Sequence, residues 1–353
     1  MDASVDFVGT VAPEGRDVLP VERLEQWMAV NVEGFRGPLI VEKFKGGQSN
    51  PTYKLTSPSG AYVLRRKPFG PLLPSAHAVD REYRVIAGLH PTGFPVPRPY
   101  GLCEDDSVAG AMFYVMGMVD GRTIWDGSMP GASQEERRTV YLAMTDTLAE
   151  LHGVDVERAG LMTYGKPGNY FARQIDRWTK QYRASETERM EPMERLIEWL
   201  PRTVPEQTRT SVVHGDYRID NMIFAHDRVE VLAVLDWELS TLGDPLADFM
   251  YFLMAWVTDN GGRSGVQDLD RAALGIPERD EIVARYCERT GRDRVPDIDW
   301  YMAYNFFRLA GIMQGIKKRV IDGTASSAHA REMSARVQPL ADRAWEFAEK
   351  AGA

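Results

Sequence analysis

The chain has 353 residues, 44% of them apolar and 26% charged. That is the composition of an ordinary globular protein, at a length that calls for two lobes rather than one core. A formal net charge of −9 argues against nucleic-acid and anionic-membrane partners, which both repel a broad negative field. The two distant cysteines, Cys103 and Cys287, exclude a disulfide framework and point to a reducing, cytoplasmic setting. Scattered histidines with no H-x-x-x-H pair speak against a histidine-built metal site.

The opening "MDASVDFVGTVAPEGRD" has no basic stretch followed by an apolar run, so no secretory signal is expected, and residues 1–20 read as loose. From Val21 a helical stripe runs through residues 21, 24, 27, 28 and 32. Short strand-like runs follow at 39–44, 52–57 and 62–67, separated by "KGGQSNP" and the turn "SPSG". A helix at about 76–89 and two more strands, 99–103 and 112–118, complete a five-stranded, mostly antiparallel sheet with one helix on it. After "VDGRTIWDG" the pattern is helical near 133–152, 169–185, 278–290, 297–322 and 326–350. The exception is 211–236, a β-hairpin island with "HDR" as its turn. The fold class is therefore α+β, with an N-terminal lobe over 1–118 and a helical lobe over 119–353. "LADFMYFLMAWV" (246–257) is too short to span a bilayer and carries Asp248.

Inside the island, "SVVHGD" ends in Asp216 and "VLAVLD" ends in Asp236. Two carboxylates at the ends of neighbouring strands repel unless a cation lies between them. Asn221 brings a neutral oxygen to the same place. An Asp and an Asn oxygen, completed by phosphate oxygens and water, suit Mg²⁺. Asp216 is then left to accept a hydrogen bond from a hydroxyl nucleophile. For either aspartate alone, a solvated hairpin end is the simpler explanation; for the three residues together it is not.

"HGDYRIDN", "LDWE" and "GDPLADF" resemble the aminoglycoside phosphotransferase-like family, relatives of the protein kinases, over roughly residues 35–325. The spacing of His214, Asp216, Asn221 and Asp236 follows the kinase pattern H-R-D-x-x-x-x-N and D-F-G. The resemblance implies a two-lobed kinase-like fold that uses ATP (GTP is not excluded) and Mg²⁺ to phosphorylate a hydroxyl. It makes Asp216 the catalytic base and gives Mg²⁺ to Asn221 and Asp236. Arg65, on the third strand, matches the residue that grips nucleotide phosphates, and Glu82 shares a helix face with Ala78, Val85, Ile86 and Leu89, with Arg65 as its natural partner. Gly46, Gly47 and Ser49 form the expected phosphate loop, and the backbone of Gly117 and Val119 the adenine contact. Met116 and Met118 read as core packing. Asp244 reads as an N-cap with Pro245 at the first helical position; the resemblance adds that Asp244 braces the catalytic loop, as His214 does. Tyr217 and Arg218 take no role, and Asp220 reads as facing solvent.

Only seven residues separate Asp236 from Asp244, and Gly215 stands where protein kinases carry arginine. With no activation segment, a small-molecule alcohol is a better acceptor than a peptide. "NFFRLAGIMQGIKKRVIDG", with "GGQSN" and "VLRRKP", resembles the branch related to the kinase-like domain fused to acyl-CoA dehydrogenases. That branch implies a hydroxyacyl-CoA or another anionic alcohol as acceptor, with Arg308 as a candidate contact and Lys317, Lys318 and Arg319 equally explained as a basic helix end. The alternatives are an aminoglycoside, amino-sugar or choline-type kinase and, from another class, a nucleotide-binding regulator without turnover.

Overall fold

Alternation along the N-terminal strands decides what each face of their sheet buries. The computed structural model describes residues 9–45, 50–69, 78–261, 263–324 and 330–353. Strands β1 (Thr10–Val11), β2 (Ile40–Phe44), β3 (Thr52–Ser57), β4 (Gly60–Arg66), β5 (Pro99–Cys103) and β6 (Phe113–Gly117) form one antiparallel sheet in the order β1-β2-β3-β4-β6-β5. The sheet gains a sixth strand from the segment expected to be loose, because Thr10 and Val11 pair with Phe44 and Lys43. Leu19, 3% exposed, joins the core of the Val21–Asn31 helix.

Side chains of period two point to opposite faces. Leu55, Tyr62, Leu64, Phe113 and Val115 pack on Leu24 and Met28 of the Val21–Asn31 helix. Val63, Tyr114 and Met116 face the other way, toward Val85, Ile86 and Leu89 of the Val79–Leu89 helix and the main core. Burying each such aliphatic side chain is worth about 1.5–3 kcal/mol. The same parity separates two adjacent arginines. Arg65 follows Val63 to the inner face. Arg66 follows Leu64 to the outer one, where it donates to the Ala109 carbonyl at 3.0 Å and lies 4.2 Å from the centroid of Phe69.

The remaining strands are short: β7 (Arg122–Thr123), β8 (Ser211–Val213), β9 (Met222–Phe224), β10 (Val231–Val234) and β11 (Thr241–Gly243). They form a three-stranded sheet, β10-β9-β7, and the pair β11-β8. Around them lie the helices Gln134–Gly153, Tyr170–Ser185, Glu191–Trp199, Leu246–Leu253, Arg279–Thr290, Ile298–Ile321 and Val337–Lys350. Cys103 and Cys287 are buried and free. Among the described residues, no helix is long and apolar enough to cross a membrane.

Candidate active site

Strand β8 delivers the polar stretch that follows it. Val212 and Val213 are fully buried, and Val213 pairs with Thr241 of β11. At Gly215 the backbone turns left-handed, with φ +88°, and an added Cβ would stand 2.8 Å from the Leu239 carbonyl oxygen. Neither the conformation nor the space admits a side chain there.

The loop is held from below by a residue the motif comparison passed over. Asp248 is 1% exposed and accepts the N–H of His214 at 2.5 Å and that of Gly215 at 2.8 Å. Burial disfavours its charge, but His152, His214 and the Gly215 N–H overcome this and hold its carboxyl below the usual range. The bracing role expected of Asp244 therefore falls to Asp248. Asp244 instead accepts the Leu246 N–H at 2.9 Å, with Pro245 as the cap and Leu246 as the first helical residue. Burial raises the Asp244 carboxyl to about 6. A carboxylate inside the run "PLADFMYFLM" was the available signal for Asp248, since such a charge requires buried partners.

His214 braces the loop internally. Its Nε2–H donates to the Leu235 carbonyl at 2.8 Å, its Nδ1 accepts the Asp216 N–H at 3.2 Å, and its ring lies 4.6 Å from that of Trp237. Tyr217 anchors the loop by donating to the Met144 carbonyl at 2.7 Å. Asp220 does not face solvent: its side chain is 12% exposed and takes Arg218 in a two-pronged pair, with Nε at 2.7 Å from Oδ1.

Asp216 is half-buried and held by both carboxylate oxygens. Oδ1 accepts the Tyr251 hydroxyl at 2.7 Å, and Oδ2 accepts the Asn221 amide at 3.2 Å. Asn221 also donates to the Asp216 carbonyl at 2.8 Å, which commits its nitrogen to the loop and leaves Oδ1 as its remaining polar atom. Asp236 has φ +65°, an uncommon conformation for a non-glycine residue. Its Oδ1 lies 3.3 Å from Arg65.

Arg65 in turn reaches Glu82 at 3.1 Å. Glu82 is fully buried and accepts from Asn50 at 2.9 Å and from Tyr114 at 3.0 Å. Burial pushes its carboxyl up against the opposing charge of Arg65. For Arg65, burial works most strongly against the charge, but Glu82, Tyr114, Asp236 and Glu238 together outweigh it. Asn50, at the end of "GGQSN", and Tyr114 take no role in the sequence reading and become visible only in the assembled cluster. Gly46, Gly47 and Ser49 lie outside the described residues.

Two cavities are lined by the two hydrogen-bond partners of the Asp216 carboxylate, Asn221 and Tyr251. One, of about 440 Å³, is lined by Val63, Arg65, Met116, Val119, Asn221 and Asp236 among others. Gly117 and Met118 also line it, but Gly117 donates its N–H to the Arg98 carbonyl at 2.8 Å. Of the two backbone positions expected to meet a base, only Val119 keeps an N–H without a backbone acceptor among the described residues. Met116 is core, whereas Met118 is 38% exposed. The second cavity, of about 430 Å³, is lined by Arg218, Tyr251, Phe252, Leu309, Met313 and Arg336 among others.

Arg308 does not line that second cavity. It donates to the Gly215 carbonyl at 2.7 Å and lies over the rings of Tyr251 and Trp178, at 5.1 and 5.6 Å. It is another brace on the loop that carries Asp216. Lys317 pairs with Glu188, and Lys318 with Asp322 at 2.9 Å.

Comparison with known proteins gives the family and the fold. The model of the phosphotransferase enzyme family matches residues 40–295. Mouse acyl-CoA dehydrogenase family member 10 is 46% identical over 318 residues, covering 90% of this chain and 30% of the relative, so the chain spans less than a third of that protein. A Ralstonia eutropha protein, crystallised as a candidate aminoglycoside phosphotransferase, superposes with a TM-score of 0.88 at 51% identity, covering 94% of this chain and 99% of that one. An aminoglycoside phosphotransferase bound to ADP and hygromycin B shares the fold at 14% identity and a TM-score of 0.57, covering 93% and 98% of the two chains.

Proposed function

This chain belongs to the phosphotransferase enzyme family, and from that premise we propose that it transfers the γ-phosphoryl group of Mg·ATP to the hydroxyl of a small anionic alcohol. The observation that carries this reading is the position of Asp216. It is bonded on one side to Asn221, in the wall of the first cavity, and on the other to Tyr251, in the wall of the second. In this reading residues 1–118 carry the nucleotide and 119–353 the acceptor.

The residues present fit a magnesium ion. Asn221 turns its nitrogen to the loop, and Asp236 is 36% exposed at the cleft with its Oδ2 unclaimed by protein donors among the described residues. No cluster of three or more His, Cys, Asp or Glu offers a protein-only cage among those residues. That suits Mg²⁺, which takes few protein ligands and completes its shell with phosphate oxygens and water. When bound, the ion would neutralise charge on the transferring phosphate.

The chain's own residues divide the remaining work. Arg65, held by Glu82, offers its guanidinium to the phosphates. Asp216 takes the proton of the acceptor hydroxyl as that oxygen bonds to phosphorus and the bond to ADP breaks. Phe252, Leu309 and Met313 give the second cavity an apolar floor, and Arg263 and Arg336 stand in its wall beside Asp259 and Glu332, with Arg218 there already paired to Asp220. An aliphatic alcohol with an anionic group, of which a hydroxyacyl-CoA is an example, matches that lining better than a polycationic aminoglycoside. In this reading the anion contact expected of Arg308 passes to Arg263 and Arg336.

The test is a product-resolved kinase screen of 4-hydroxyacyl-CoA thioesters against aminoglycosides and choline, with Asp216→Asn as the control. Turnover of aminoglycosides alone overturns the acceptor class. Tight Mg·ATP binding with no turnover that Asp216→Asn abolishes would favour the regulator instead.

A further inference from the structure

Resting on the phosphotransferase reading, we infer that Tyr251 is a positioning residue for this reaction: its hydroxyl aims the Asp216 carboxylate at the acceptor and shares Oδ1 with the incoming alcohol.

Three elements converge on this contact. Tyr251 comes from the Leu246–Leu253 helix, one turn beyond Asp248, which holds the backbone of the same loop. Arg308, from the Ile298–Ile321 helix, lies 5.1 Å from the Tyr251 ring and bonds the Gly215 carbonyl. The carboxylate itself takes Tyr251 at 2.7 Å and Asn221 at 3.2 Å. Of the two donors, only Tyr251 belongs to the wall of the acceptor cavity.

A carboxylate oxygen accepts two hydrogen bonds. Oδ1 can therefore keep the tyrosine while it receives the acceptor hydroxyl, and Oδ2 stays tied to Asn221. Without Tyr251 only the 3.2 Å bond to Asn221 restrains rotation of the carboxylate about its Cβ–Cγ bond, away from the line between acceptor oxygen and phosphorus. Burial first, then the charge of Asp216, pushes the phenol of Tyr251 far above its ordinary value, so it remains a donor at working pH. Bond changes are those of the transfer itself: acceptor oxygen to phosphorus forms, phosphorus to ADP oxygen breaks, and the proton goes to Asp216. Tyr251 gives up no proton.

The test compares wild type with Tyr251→Phe, which keeps the ring over Arg308 and removes only the donor. Two rates are measured: phosphoryl transfer to a 4-hydroxyacyl-CoA thioester, and the part of Mg·ATP hydrolysis lost in Asp216→Asn. The second does not depend on having chosen the right alcohol. A charge-assisted hydrogen bond acting through the base is worth roughly tenfold or more in rate. The expected result is therefore a kcat lowered about tenfold or more, with KM for ATP and the melting temperature little changed.

Restoration of the rate by 4-aminophenylalanine at position 251, which carries an N–H donor, supports the assignment. If Tyr251→Phe weakens Mg·ATP binding, 4-aminophenylalanine and 4-methoxyphenylalanine are compared instead, since only the first can donate. A kcat within about twofold of wild type in the donor-free form overturns the role of Tyr251 and leaves the kinase reading intact. Absence of any Asp216-dependent turnover in wild type overturns both.

Discussion

Replacing Asp248 by asparagine tests the mechanical basis of the site. Asp248 is 1% exposed and receives the N–H groups of His214 and Gly215, with the His152 Nε2 at 3.6 Å. Asn at this position removes the charge and turns an amide N–H₂ against one of the two loop N–H groups. Removing one partner of a buried charged arrangement costs about 3–5 kcal/mol, and leaving one buried N–H unsatisfied accounts for roughly 1–3 kcal/mol of that. Against a typical total of about 5–15 kcal/mol this is a large loss, yet one that leaves a folded protein to assay. Urea unfolding at pH 7 should show a loss of about 3–5 kcal/mol, and Asp216-dependent turnover should fall at least tenfold as the loop loosens.

The pH dependence of Asp248→Asn has a definite sign. The folded carboxyl of Asp248 sits below its ordinary value, so its contribution is complete above the unfolded value near 4 and is lost as pH falls through the folded value. The gap between variant and wild type should therefore be constant from pH 7 to about pH 5 and shrink only in stronger acid. A loss under about 1 kcal/mol, with turnover preserved, would refute the claim that Asp248 holds the loop.

Asp244→Asn should act in the opposite direction. Its carboxyl is raised to about 6 by burial, so its charge is destabilising above that value and the penalty fades as pH falls toward the ordinary value near 4. Asparagine keeps an acceptor for the Leu246 N–H, and urea unfolding at pH 8 should show stability unchanged or increased, by up to about 3 kcal/mol. A loss at pH 8 equal to that at pH 4 would contradict this. Arg65→Met leaves Glu82 buried without its cation and Asp236 without its partner. KM for ATP, read from ATP titrations, should rise at least tenfold, and Arg65→Met combined with Glu82→Gln should recover stability but not ATP affinity. Gly215→Ala forces a Cβ into a left-handed residue 2.8 Å from a carbonyl oxygen; it should cost about 1–3 kcal/mol in unfolding experiments and abolish most turnover.

The chemical core was legible because its spacing is local. His214, Asp216 and Asn221 lie within one loop, and Asp236 follows a buried strand, so strand ends alone bring them together. Strand parity likewise separates Arg65 from Arg66. What stayed illegible depends on which helix face meets the loop. Asp244 and Asp248 sit at either end of one turn, and only packing decides that Asp248 reaches the His214 and Gly215 N–H groups. Arg308 among aromatics signalled a special environment, but its partner, the Gly215 carbonyl, is 93 residues away. Tyr251 had no signal of its own. Asp220 was misjudged because a charged loop residue reads as solvated until its bonded neighbour, Arg218, is seen folding back onto it.

The helix carrying Glu82 is itself anchored, which bears on how the site is assembled. Arg81 donates to the Ser240 carbonyl at 3.3 Å and lies 4.5 Å over Tyr164, whose hydroxyl meets that of Ser240 at 2.6 Å. Arg84 bonds Thr163. On the next turn Gly88 approaches so closely that a Cβ there would stand 2.7 Å from the Ala159 carbonyl oxygen. These contacts tie the Val79–Leu89 helix to the segment that follows Asp236 and to the chain around residue 160. Swinging Glu82 away from Arg65 would break the Arg81 and Arg84 contacts together and leave the buried Arg65 without its main partner, at about 3–5 kcal/mol. The Glu82–Arg65–Asp236 chain is already formed, and only the seven residues from Trp237 to Gly243 separate Asp236 from Asp244. Nothing in that span resembles a segment that must be ordered before the arginine can meet the nucleotide. Under the proposed reading, selectivity rests on which acceptor fills the cavity beside Tyr251 and Arg218, and substitutions at Leu309 or Met313 should alter the choice of acceptor while leaving KM for ATP in place.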